Sequence, residues 1–167
     1  MVMTKSELIA SLQNEVRLLL HLASKIDRAK LDYRPTPKQR STLELLKYLS
    51  MMGPRFVQAV KAETFDAAAW AAAEQAASAR DFEQTLAAIA AQTEAYATLL
   101  VDVSDADLRV EIDGGGFKTT RGAFMVNFGI AACAAYRMQL FLYLKASGRE
   151  DLGSMNLWVG VDPPAAA

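Results

Sequence analysis

Between Lys5 and Lys30, apolar residues fall at Leu8, Leu12, Val16, Leu19, Leu22, Ala23 and Ile26. At ~100° per residue these positions lie within about 120° of one another, which is the stripe of an amphipathic helix. A half-buried strand would instead alternate with a period of two. Thr4, followed three residues later by Glu7, predicts a capping box at the start of this helix. Arg34-Pro35-Thr36-Pro37 predicts its separation from the next, because proline lacks the backbone donor and restricts the residue before it.

The same signature recurs. Ser41 and Glu44 open a second helix carrying Leu45, Leu46, Tyr48, Leu49 and Met52, with an interruption expected at Gly53-Pro54 and helix again from Arg55 to Lys61. Thr64 to Arg80 is alanine-rich, with Phe65 and Trp70, and favours helix. A third long helix is predicted from about Arg80 to Val101, with Phe82, Leu86, Ile89, Tyr96 and Leu100 toward the core. Val110 and Ile112 alternate with charged residues before Gly114-Gly115-Gly116, and Phe117-Lys118-Thr119 follows, predicting a short hairpin or extended loop. The last long helix runs from about Thr120 to Ser147 and stops at Gly148. The tail after about residue 149 brings Leu157, Trp158 and Val159, expected to pack on the bundle before Pro163-Pro164 and the final alanines fray. Four long helices without a linker predict an all-α four-helix bundle in one domain, 1–167.

Composition narrows the function classes. At 18.2 kDa a folded monomer exposes about 8,000 Å², enough burial for its own core. Eighteen Lys and Arg against 19 Asp and Glu leave a net charge of -1, so a nucleic-acid partner is not expected. One cysteine excludes a disulfide framework and a Cys-rich zinc site. Met1 to Glu7 lacks the pattern of a secretory signal. The apolar run from Phe124 to Leu144 is broken by Asn127, Arg137 and Gln139, which reads as a helix buried in protein rather than a membrane span. A cytoplasmic location without a membrane partner is the expectation.

Chemistry-bearing motifs are sparse. His21 is the single histidine; it lies almost opposite the apolar stripe, beside Arg17, on the expected solvent face. Cys133 sits between alanines and reads as a small buried residue, with Arg137 its one local cation. The three glycines lack the Lys-Ser/Thr of a phosphate loop. There is no Glu-x-x-His pair and no Gly-x-Ser-x-Gly. On the last helix Ala132, Tyr136, Gln139 and Tyr143 share a face, as Ser41, Tyr48 and Met52 do on the second. If those faces meet, tyrosine hydroxyls and Gln139 converge on a candidate small-molecule pocket, or merely find local hydrogen bonds.

Two stretches resemble the DinB-like family, also called DinB/YfiT-like metalloenzymes. Tyr33-Arg34-Pro35-Thr36-Pro37 followed by Arg40–Leu49, RSTLELLKYL, is similar to the family's proline, Ser and Leu-Leu-x-His-Leu helix. Tyr136–Gly148, YRMQLFLYLKASG, is similar to its final helix, which typically reads His-Arg-Gly-Gln-Leu before a hydrophobic run. The resemblance spans about Lys5 to Gly148 and implies an up-down-down-up four-helix bundle, frequently a homodimer. Many members hold a divalent metal through three histidines, and some use bacillithiol or mycothiol. The matching positions here are Tyr48, Ala132 and Tyr136. Alanine has no donor atom and a neutral phenol is a poor ligand, so no metal and no cofactor are expected.

Three readings follow. The first is a metal-free bundle that binds a small molecule or a partner without catalysis. The second is an enzyme, thiol-dependent with Tyr48 or Tyr136 as a general acid, or metal-dependent through unconventional ligands. The third is association into a homodimer through a last helix that is apolar nearly all round, Ile130, Cys133, Leu140, Phe141 and Leu144 lying away from its Phe124–Leu142 face.

Overall fold

The computed structural model describes residues 3–164; the fraying expected of the last alanines and the start of the N-terminal segment lie outside them. Helix α1 spans Lys5–Ala23, α2 Thr42–Ala62, α3 Ala67–Ser78 and α4 Phe82–Leu99. A hairpin of β1, Glu111–Asp113, and β2, Lys118–Thr120, pairs antiparallel with Glu111 opposite Thr120. The last helix runs from Arg121 to Ala146 as α5, Arg121–Met125, a π-helical turn over Val126–Ala131, and α6, Ala132–Ala146. A second π turn, Met155–Val159, follows. The architecture is the expected all-α bundle with a hairpin before its last helix.

Local chemistry sets the helix starts. Thr4 Oγ1 accepts from the Glu7 amide, and the Glu7 carboxylate accepts from the Thr4 amide at 2.7 Å. Ser41 and Glu44 repeat the exchange at 3.2 and 2.7 Å. Each box satisfies two of the amides that a helix start leaves without intrahelical partners.

Packing then overrides one local signal. Helix α2 continues through Pro54 instead of stopping at Gly53. An interior proline costs about 3 kcal/mol. Leu49, Met52, Val57 and Val60, buried on either side of it, offset that cost, since each fully buried aliphatic side chain is worth about 1.5–3 kcal/mol.

Helices α1 and α2 each pack against both α4 and the last helix, so α1 stands diagonal to α2. Helix α3 packs on the outside of α2. Gly129 lets the last helix close on the bundle: a Cβ there would lie 3.0 Å from Leu12 and 3.6 Å from Val57. The exposed surface is 8892 Å², roughly a tenth above the ~8,000 Å² expected for this mass. By length and composition the last helix is apolar enough to cross a membrane, yet only 22% of its most apolar window is buried. The helix read from sequence as buried in protein is buried along one side only. Leu140, Phe141 and Leu144 do face the core, while Ala131, Ala135 and Leu142 face outward.

Candidate functional site

Tyr48, two turns into α2, meets Tyr136 of α6 edge-on, with ring centroids 5.2 Å apart at 68°. Trp70 of α3 approaches the other side at 6.4 Å, and the Arg40 guanidinium lies 4.0 Å over the ring. Burial pushes the Tyr48 phenol up to about 12, and the neighbouring Tyr136 hydroxyl adds to the rise. At neutral pH Tyr48 is therefore an uncharged hydroxyl. Ala132 stands one turn before Tyr136 on α6 and is half-buried.

The remaining expected pocket residues go elsewhere. Gln139 Nε2 donates to the Tyr143 hydroxyl at 2.6 Å, and that hydroxyl donates to the Arg40 carbonyl at 3.1 Å. Tyr143 also stacks edge-on against Tyr33 at 5.7 Å. This pair therefore ties α6 to the loop before α2. Ser41 is engaged in its helix cap, and Met52 lies wholly in the core. The structure brings Tyr48 to Tyr136 and Gln139 to Tyr143 as two separate contacts.

Beside Tyr48, between α2 and α3, opens a cleft of about 220 Å³ lined by Arg40, Glu44, Lys47, Tyr48, Met51 and Glu74, among others. Lys47 is anchored to the Ser78 carbonyl at 2.8 Å, and Arg34 pairs with Glu44 at 3.2 Å. Nothing in the linear pattern marks this cleft, because Glu74 comes from an alanine-rich helix with no clear apolar face.

Three single residues complete the chemistry. Cys133 is pushed up to about 12 by burial and then by the Glu15 carboxylate, so its thiol is unreactive at neutral pH. Arg137, expected as the local cation of that thiol, does act on it and opposes the rise, while its own ion pair is with Glu15 at 2.9 and 3.2 Å. It also donates to the Leu157 carbonyl and lies over the Trp158 ring at 5.5 Å. His21 corrects the sequence reading. Its side chain is only 14% exposed, because the turn Met155–Val159 packs on α1. Asn156 Nδ2 lies 3.2 Å from His21 Nε2, which accepts in the neutral ring, and Asp162 lies at 3.9 Å. Desolvation, Lys25 and Arg17 lower the imidazole's proton affinity against the opposing pull of Asp162.

No protein-family model matches the chain, and no curated protein sequence matches it. Among solved structures it is similar to a DinB-like protein, YjoA, from Bacillus subtilis, at 20% identity and a TM-score of 0.65. That match covers 87% of this chain and 94% of the other. The helix order, the diagonal placement of α1 and α2, and this likeness agree: by fold, the chain is a DinB-like helical bundle.

Proposed function

We propose that this bundle works by binding and not by metal-dependent chemistry, and that the Tyr48–Tyr136 pair takes the place of the metal ligands implied by the family resemblance. The observation that carries this is the direct ring contact at 5.2 Å. Ala132 has no donor atom, and Tyr48 holds its proton far above neutrality, so these residues do not fit a divalent cation. Among the described residues, no group of three or more His, Cys, Asp and Glu could hold one. The same phenol is too weak an acid to favour the tyrosine-dependent enzyme reading.

The ligand site in this reading is the cleft beside Tyr48. The lining combines the charged residues Arg40, Lys47, Glu44 and Glu74 with the apolar surfaces of Tyr48 and Met51. Such a lining suits a small zwitterion with an apolar body, held by charges of both signs. The first test is elemental analysis of untagged protein after incubation with zinc, nickel and manganese and desalting. Less than about a tenth of an equivalent is expected, and a stoichiometric metal overturns the reading.

Self-association is a second reading with its own support. Ala131, at the end of the π turn, and Ala135, Leu142 and Ala146 of α6 are exposed and lie within about 60° of one another along the last helix. Small residues along one stripe let a second copy's helix approach closely, burying Leu142. The occupant is a second copy of this chain, which gives a homodimer. Sedimentation at micromolar concentration tests it: Leu142→Glu is expected to convert dimer to monomer, and a monomeric wild type overturns it.

A further inference from the structure

Away from the tyrosine pair, four phenylalanines from separate parts of the chain surround one groove of about 340 Å³: Phe56 of α2, Phe65 of the loop after it, Phe124 of α5 and Phe128 of the π turn. The rings hold one another in place. Phe56 meets Phe128 at 5.6 Å, and Phe128 meets Phe124 at 4.5 Å. Trp70 backs both Phe56 and Phe65, at 4.9 and 5.4 Å. The hairpin tip forms the facing wall. It is closed down tightly, since a Cβ on Gly114 would lie 2.6 Å from the Phe117 ring, and Phe117 in turn meets Phe124 at 6.0 Å.

Burying these rings against one another leaves a great deal of aromatic surface in water. Phe65 is 57% exposed and Phe128 is 37% exposed. Contiguous exposed apolar surface on a soluble domain marks a contact site more often than isolated exposed residues do. The charged residues at the groove are both acidic, Glu63 and Asp113. Glu63 is paired with Arg121, and Lys118, opposite Asp113 across the hairpin, is paired with Glu111, so among the described residues the charge at the groove that no ion pair offsets is that of Asp113. The amides of Gly115 and Gly116 donate to Asp113 at 2.9 and 2.7 Å, holding its carboxyl below the usual carboxylate range.

We propose that this groove is a binding site for an organic cation, a quaternary ammonium or protonated amine carried on an apolar frame, seated on the faces of Phe56, Phe65, Phe124 and Phe128 with its charge toward Asp113. The negative faces of aromatic rings attract such a cation, and the cation's weak hydration makes its transfer from water less costly than that of a compact ion. The carboxylate lining disfavours anions by like-charge repulsion. The volume is at the small end of ligand sites, which suits a single head group with one apolar substituent. Because the rings are already packed, binding orders little and loses little affinity to reorganisation.

Benzyltrimethylammonium is the probe, compared with its neutral carbon isostere neopentylbenzene and with benzoate, by titration calorimetry and ligand-observed NMR. Saturable one-to-one binding of the cation is expected at about 0.1–1 mM, with the neutral and anionic compounds at least about tenfold weaker. Asp113→Asn, whose side-chain oxygen keeps the turn's hydrogen bonds, is expected to weaken the cation about five- to tenfold. Phe65→Leu, at an exposed position that does not threaten folding, is expected to weaken it about three- to fivefold. Equal affinity for the neutral isostere would make the groove merely apolar and overturn the proposal. So would no saturable binding up to about 10 mM, or binding indifferent to both substitutions in variants with unchanged circular dichroism. Both variants lie outside the tyrosine cleft, so their outcomes are independent of the reading given for that site.

Discussion

The Tyr96 hydroxyl of α4 occupies the space that a side chain on Gly53 of α2 would fill: a Cβ built there lies 2.1 Å from Tyr96 Oη. Cys133 Sγ closes the same space at 3.4 Å. Gln92, one turn before Tyr96, donates to the Leu49 carbonyl at 2.8 Å and accepts from the Tyr96 hydroxyl at 3.4 Å. Helices α2 and α4 thus meet through a glycine, a phenol and an amide.

Gly53→Ala tests this contact because two effects oppose. Alanine is worth about 1 kcal/mol more than glycine in a helix, while overpacking a buried site costs about 1–3 kcal/mol. At 2.1 Å the clash wins, and urea denaturation is expected to show a net loss of about 1–2 kcal/mol. In a Tyr96→Phe background the loss should shrink toward zero. An unchanged loss there would place the strain elsewhere.

Arg137 and Glu15 form a pair with side chains only 3% and 11% exposed. Arg137→Met removes one partner and leaves the carboxylate buried, so a loss of about 3–5 kcal/mol is expected in denaturant unfolding. Replacing both together, Arg137→Met with Glu15→Leu, is expected to recover most of it, since a buried pair contributes little beyond an apolar substitute of similar volume.

His21 makes stability depend on pH in a defined direction. Its folded proton affinity lies below the ordinary value of 6.5, so the unfolded chain binds the proton more readily. The contribution is in place above about pH 6.5 and is lost as pH falls through the lowered folded value. The urea midpoint is expected to drop between about pH 7.5 and 5.5 and to stay flatter in His21→Gln. Equal slopes would show that His21 is not the group responsible.

Tyr48 has the opposite sign. Its folded value is raised from 10.0 to about 12, so its contribution is in place below 10 and is lost as pH rises through about 12. Phenolate absorbance should show a tyrosine ionising near 12 that disappears in Tyr48→Phe, while the more deeply buried Tyr96 ionises later still in both proteins. Tyr136→Phe removes the neighbouring hydroxyl and is expected to move the Tyr48 ionisation earlier; no movement would mean that burial alone sets it.

Installing the three histidines that the resemblance implies tests the metal-free reading directly. Tyr48→His, Ala132→His and Tyr136→His together are expected to retain about one equivalent of nickel or zinc after desalting, with three imidazoles and an open fourth position. The wild type should retain less than a tenth as much under the same conditions. A triple variant that folds and binds no metal would show that these three positions do not converge as the resemblance implies.

Where interactions span three or four residues, the linear pattern sufficed. Thr4 with Glu7 and Ser41 with Glu44 cap their helices through such contacts, and the apolar spacing from Leu8 to Ala23 marks the buried face of α1. The hairpin was legible from its glycines, two of which take positive φ at 92° and 98°. These features depend on backbone sterics and local hydrogen bonds, which neighbouring residues decide among themselves.

Other features needed the whole bundle. His21 reads as a surface residue until Asn156, 135 positions away, folds against it. Pro54 reads as a stop until packing on both sides carries α2 through it. Ser41, Tyr48, Met52, Ala132, Tyr136, Gln139 and Tyr143 read as one pocket, but helix rotation and distance divide them between a tyrosine contact, a cap, the core and a tie to the Arg40 loop. The four-ring groove has no linear signature, because its rings come from α2, a loop, α5 and the π turn of the last helix. Sequence alone determined helix content, helix starts and the lack of good metal donors at Tyr48, Ala132 and Tyr136, since each is a property of a residue and its near neighbours. Tertiary structure decided which side chains meet, because those contacts arise only when distant apolar faces exclude water together.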